Sequence, residues 1–157
     1  MDERKTKLSD RLTESRQDLL ASIAGVAMDD LAQRAVNDGW SIQDMLAHLA
    51  SAERGHQMVL KTLLAGQDPR QPGFDLDAFN EAEVSARRGR TAEAVFSELA
   101  ASRAETLALL DEVGPDDWDR SGFHPGGFDT NVEGVFRVIA IHERRHTKEI
   151  RIALSAA

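Results

Sequence analysis

The chain has no cysteine and no tyrosine among its 157 residues, and aromatic side chains make up only 5% of it. Without cysteine there is no disulfide framework, no cysteinyl zinc site and no protein thiol to act as a nucleophile. A thiol can enter the chemistry only as a separate molecule. Proline is also scarce, at four residues, and falls in turn-rich stretches rather than inside periodic ones. No apolar run approaches the roughly 20 residues of a membrane span. The polar start MDERKTKLSD lacks the apolar segment of a signal peptide, so the expected location is the cytoplasm. Basic residues are in the minority: 19 Lys and Arg against 27 Asp and Glu leave a net charge of −8. That balance argues against a nucleic-acid partner, which needs a basic face, and against docking on an anionic membrane.

What remains is rich in Ala and Leu, a composition that favours helix over sheet. Leu12, Leu19, Leu20, Ile23 and Val26 recur at helical spacing and predict a first long helix from Ser9 or Asp10 to about Ala27. A polar connector, Met28 to Trp40, follows. Ser41 is a natural N-cap for a second long helix, Asp44 adds a favourable charge to its first turn, and Gly66 ends it. The stretch GQDPRQPGF breaks regular structure, and a short helix is expected over Leu76–Arg88. A third long helix runs from Thr91 to Val113. After the loop WDRSGFHPGGFD, Thr130 and Glu133 read as a capping box opening a fourth, which continues to about Leu154. No strand pattern or internal repeat is visible. The expected fold is all-α: one domain over residues 1–157, a four-helix bundle whose long second-to-third connection carries a short extra helix. Such a crossover lets the second and third long helices run parallel.

The chemistry-bearing residues are histidines. His142 and His146 are four apart in IHERRHTKEI, so they sit one turn apart on the same helix face. That face is the apolar stripe of Val135, Val138, Ile139, Ile150 and Ala153, with Glu143, Arg144, Arg145, Lys148 and Arg151 off it or at its rim. A buried imidazole must be hydrogen-bonded or bound to something. His48 lies between Met45, Leu49 and Ala52 on the inner face of the second helix, about 10 Å from its start at 1.5 Å per residue. The midpoint of His142 and His146 is about 15 Å from the end of the last helix by the same rise. If these two helices are antiparallel, the levels roughly match. Three neutral imidazoles suit Zn²⁺, Ni²⁺, Co²⁺ or Fe²⁺ and leave a coordination position open for water or substrate. The plainer reading is that these histidines simply pack in the core.

Glu53 is turned about 140° from His48 on its helix, and Glu143 stands on the wrong face, so neither is expected to join the set. His56 is a fourth ligand, a base beside the metal or a packed polar residue. His124, in the Gly/Pro loop, is expected to face solvent. Trp40 and Trp118 read as packing anchors at the bundle ends. Arg87, Arg88 and Arg90 read as a solvated charge run or as a clamp for an anionic substrate.

The segments GWSIQDMLAHLASAERGH and IHERRHTKEI, with a Trp-Ser helix start, a His seven residues after the Ser and a terminal His-x-x-x-His helix, resemble the DinB/YfiT-like family of metal-binding four-helix bundles. The likeness extends through FNEAEVSARRGRTAEAVFSELAASRAETLALL and so over nearly the whole chain. It implies that His48, His142 and His146 are the metal ligands, that the helices carrying them run antiparallel, and that homodimers are frequent, so that a homodimer is the expected assembly. Family members with assigned roles include thiol-dependent enzymes, such as mycothiol-dependent maleylpyruvate isomerase and bacillithiol transferases. The expected function is therefore a divalent-metal-dependent transferase or hydrolase acting on a small electrophile, with a low-molecular-weight thiol as a candidate cosubstrate. The alternative is a metal-binding or stress-response bundle without turnover, which the lack of an evident acid or base beside the triad favours.

Overall fold

Each long helix has an identifiable start. In the computed structural model, which describes residues 2–156, α1 spans Glu3–Ser22 and is capped by the Asp2 side chain, which accepts from the Arg4 amide. It thus begins well before the expected Ser9, because Asp2 supplies the cap and Glu3 pairs with Lys7 one turn on. It also stops short of Ala27: Gly25 takes a left-handed φ of 80° and turns the chain. The expected polar connector contains a short helix, α2 (Met28–Gln33), which buries Leu31. α3 (Ile42–Leu64) starts on a full capping box between Ser41 and Asp44. It ends in a Schellman motif: Gly66 (φ 76°) donates to the Leu63 carbonyl and Gln67 to that of Thr62. The crossover helix α4 (Leu76–Arg87) and then α5 (Ala92–Glu112, capped by Thr91) lie where the sequence places them.

The loop before the last helix differs from expectation. It folds as a two-stranded antiparallel hairpin, β1 (Ser121–His124) and β2 (Phe128–Asn131), closed by Gly127 at φ 101°. Because β2 extends through Thr130, the cap of α6 (Val132–Ser155) is Asn131, whose side chain accepts from the Gly134 amide at 2.8 Å. Glu133 pairs with Arg137 instead of closing a capping box.

Side-chain pairs fix the helix directions. Gln43 reaches Arg90, Arg54 reaches Glu98 and Lys61 reaches Glu105, so α3 and α5 run parallel. Glu14 pairs with Arg144 and Asp18 with Arg151, so α1 and α6 run parallel. His48 meets His146 and Leu63 shares a cluster with Val132, so α3 and α6 are antiparallel. The result is a four-helix bundle of up-down-down-up order, with the crossover that parallel α3 and α5 require.

The core is split in two. One apolar cluster gathers Leu8, Leu12, Leu60, Leu63, Leu110, Trp118 and Phe136. The other gathers Leu19, Ile42, Met45, Leu46, Leu99 and Ile150, with Trp40 against it. Trp118 and Trp40 thus pack with opposite halves of the bundle. Between the halves every long helix contributes buried polar residues: Ser15, with the half-buried Arg16 beside it, Glu53 and Gln57, Ser102, Arg103 and Thr106, and Glu143, His146 and Thr147. Glu53 and Glu143 are not turned to solvent; each is nearly fully buried, and both line a small cavity shared with His56 and His142. α6 is flanked by α1 on one side and α3 on the other, so it buries two faces and not one stripe. Arg16 and Arg103 neutralise the two carboxylates, with Arg103 Nε 2.7 Å from Glu53 Oε1 and Arg16 3.0 Å from Glu143 Oε2.

Candidate metal centre

The antiparallel run of α3 and α6 brings His48, His142 and His146 together. One ring nitrogen of each lies within 4.8 Å of the other two. His48 Nε2 is 3.2 Å from His142 Nε2, which is 3.0 Å from His146 Nε2. The rings meet edge to face, as converging lone pairs require. His48 and His146 are buried, and His142 is the more open of the three.

Protonation follows from the surroundings. Burial, reinforced by the neighbouring imidazoles and Arg145, pushes His48 down to about 4 and His142 to about 2. Burial also lowers His146, although Glu149 opposes it. All three are therefore neutral at pH 7. Glu149 Oε2 lies 2.8 Å from His146 Nδ1; a carboxylate only accepts, so Nδ1 carries the proton and Nε2 presents a lone pair. A proton on His142 Nε2 could be aimed at only one of its two neighbours. His48 Nδ1 is buried without any hydrogen-bond partner among the described residues, and its ring is held by packing against Trp40, 5.0 Å between centroids.

This arrangement fits a cation better than a hydrogen-bonded core. Two imidazole nitrogens bound at about 2.0–2.1 Å stand about 2.9 Å apart at a right angle and about 3.3 Å apart in a tetrahedron. The observed 3.0 and 3.2 Å fall inside that interval. A single ion accepting three lone pairs removes the conflict over protons. Glu149 fixes the tautomer of His146, the arrangement that carboxylates take beside metal-bound histidines.

Two further histidines stand close by. His56 is partly buried, its ring centre 6.2 Å from that of His142. Burial, with smaller contributions from His124 and His48, pushes it down to about 3. His124 does not face solvent as the loop composition suggested. It is 8% exposed, stacks on Phe128 and lies with Nε2 3.0 Å from His56 Nδ1. Its only advance signal was its place between glycines and prolines; burial came from the hairpin. The arginine run is occupied: Arg87 and Arg90 bind Glu98, and Arg88 binds Glu81 and approaches Asp44. It serves to tie α4 to α3 and α5.

Fold and site define a four-helix bundle with a three-histidine centre between antiparallel helices. The chain belongs to the DinB superfamily, whose family model matches residues 11–150. No curated protein matches it in sequence. Among solved structures it resembles YfiT from Bacillus subtilis, described as a probable metal-dependent hydrolase with an unusual four-helix bundle topology, at 19% identity and a TM-score of 0.78, covering 98% of this chain and 87% of that one. It also resembles a mycothiol-dependent maleylpyruvate isomerase, at 15% identity and a TM-score of 0.76 over 91% of this chain, but spans only 60% of the isomerase. The colibactin self-resistance protein ClbS, solved with double-stranded DNA, matches at 11% identity and a TM-score of 0.74 over 98% of this chain and 96% of that one. At these identities the likeness is one of fold.

Proposed function

We propose that His48, His142 and His146 hold one divalent ion, of zinc, nickel, cobalt or iron, and that the protein is a metal-dependent enzyme acting on a small electrophilic molecule. The observation that carries this reading is the convergence of three neutral Nε2 atoms at 3.0 and 3.2 Å. When bound, such an ion would lower the pKa of a coordinated water to about 7 or hold an incoming thiolate. The chain has no cysteine, so a thiol nucleophile must be a low-molecular-weight cosubstrate, the kind that the name of the mycothiol-dependent isomerase records for that protein. YfiT supports the hydrolytic version. The reaction is a thiol transfer or a hydrolysis.

The residues of the chain hold the reacting parts in place. His142, the more open ligand, marks the side from which a substrate enters, while Trp40 closes the side of His48. The buried position of the centre and the net charge of −8 favour a small molecule over nucleic acid as partner. Among the described residues no helix is long and apolar enough to cross a membrane. A reducing cytoplasmic setting suits a thiol cosubstrate, and a homodimer is the assembly this reading includes. The alternative is a bundle that binds metal without turnover, a reading that draws on the absence of an evident acid or base beside the triad.

The test is elemental mass spectrometry on untagged wild type and His146→Ala. About one ion per wild-type chain, lost in the variant, supports the reading and justifies a screen of thiols with electrophiles. No ion in either, even after incubation with Zn²⁺ or Ni²⁺, leaves a bundle whose histidines merely pack. Unchanged activity after complete metal removal would sink the enzymatic half.

A further inference from the structure

His56 and His124 lie outside the triad, and the bonds around them permit one protonation pattern. The Gly126 amide donates to His124 Nδ1 at 2.8 Å. A backbone amide cannot accept, so His124 Nδ1 is a lone pair and the neutral ring carries its proton on Nε2. That nitrogen is 3.0 Å from His56 Nδ1. His124 therefore donates to His56 Nδ1, and His56 carries its own proton on Nε2. The chain of bonds from Gly126 through His124 to His56 ends on an N–H that makes no further hydrogen bond to the described residues.

The hairpin braces this chain. His124 pairs with Phe128 across the strands and stacks on its ring, 4.4 Å between centroids at 12°. A Cβ on Gly126 would stand 3.0 Å from His124 Nδ1, so a larger residue there would press on the ring that this amide holds. At the other end, His56 and His142 line a common cavity of about 10 Å³ with Leu49, Ile139 and the carboxylates Glu53 and Glu143, whose charges Arg103 and Arg16 balance; it has room for about one water.

The geometry points to His56 as a hydrogen-bond donor to the ligand of the metal centre: its Nε2–H, locked by His124, bonds the lone-pair-bearing atom of an anionic or thiolate group placed beside His142. This rests on the metal reading above. The locked tautomer makes His56 a donor and not a base, since Nε2 is already protonated in the neutral ring. Two imidazoles at 3.0 Å could also hold a second ion. The Gly126 bond opposes that, because it keeps the proton on the very nitrogen that would bind, and no third ligand joins the pair among the described residues.

Two measurements on the full chain test the assignment. Long-range ¹H–¹⁵N spectra of EDTA-treated protein should show Nε2 protonated and Nδ1 bare in both His56 and His124; a proton on His56 Nδ1 overturns the relay. Cobalt-loaded protein, titrated with azide and followed by visible absorption, should bind azide on the order of tenfold more weakly in His56→Leu than in wild type, the scale of one hydrogen bond to a charged partner. Cobalt stoichiometry should stay at one. His56→Gln, which keeps an N–H donor, should recover most of the affinity. Equal azide affinity in wild type, His56→Leu and His56→Gln overturns the donor role. Two cobalt ions per wild-type chain, one of them lost in His124→Phe, overturns it in favour of a second metal site. Failure of wild type to take up cobalt is a different failure: it overturns the metal reading and the ligand role with it, while the spectra of the metal-free protein still decide the relay.

Discussion

Replacing Arg103 by Met would expose how much the bundle depends on its buried charge layer. Arg103 donates to Glu53 Oε1 at 2.7 Å, to Glu143 Oε1 at 3.2 Å and to the Leu12 carbonyl at 2.6 Å. Its side chain is only 8% exposed, so water cannot take over these bonds. In the wild type two arginines balance two carboxylates; in the variant Arg16 alone faces both, at 3.2 and 3.0 Å. Removing one partner of a buried ion pair costs about 3–5 kcal/mol, and because Arg16 still reaches both carboxylates we place the loss near the lower end, about 3 kcal/mol. At about 2–4 °C per kcal/mol for a chain of this size, the melting temperature falls by roughly 6–12 °C. Urea unfolding followed by circular dichroism measures the loss directly, with the slope unchanged if the native state stays compact. Adding Glu53→Gln restores one arginine to one carboxylate, so the double variant should be less destabilised than the sum of the singles by about 0.5–3 kcal/mol. A loss below about 1 kcal/mol for Arg103→Met, or simple additivity in the double variant, would refute the idea of a dry, mutually dependent layer.

Three other outcomes follow from the same structure. Burial holds His48 near 4, His56 near 3 and His142 near 2, whereas in the unfolded chain each titrates near 6.5; below 6.5 the unfolded state binds more protons, so metal-free protein should lose stability as pH falls from about 6.5 to 4, and melting curves of EDTA-treated protein that do not change between pH 7.5 and 5 would contradict this. Glu149→Gln removes the charge behind His146 Nδ1 and should weaken metal binding about tenfold, the low end for such partners because Glu149 is partly exposed, with stoichiometry unchanged; competition with a chelating dye reads it. Ser41→Ala breaks the capping box that starts α3 and should cost about 1 kcal/mol in urea unfolding, whereas no measurable loss would mean that water replaces the cap.

Legibility followed the range of the interactions. Ser41, Gly66, Thr91 and the stretch 76–88 marked α3, α4 and α5 correctly because caps, glycines and helical periodicity act within a few residues. The i, i+4 spacing placed His142 and His146 on one face, and counting rise from the helix ends brought His48 level with them. The hairpin escaped because its four-residue strands, SGFH and FDTN, carry no alternating pattern; it is held by contacts with α3 and its own turn. The early start of α1 rests on one capping aspartate and a surface ion pair, signals too weak to outweigh the polar composition of the first turns.

By itself, then, the sequence determined the bundle, its crossover and the three histidines that converge, all from patterns that local geometry imposes on one chain segment. Only the tertiary structure decided which other polar residues matter. Glu143 follows His142 in the chain yet faces α1, because a helix between two neighbours buries two sides. Glu53 meets Arg103 from 50 residues away, and His56 meets His124 from 68. No spacing rule encodes such pairings, since they depend on how separate elements pack and not on the period of any one of them.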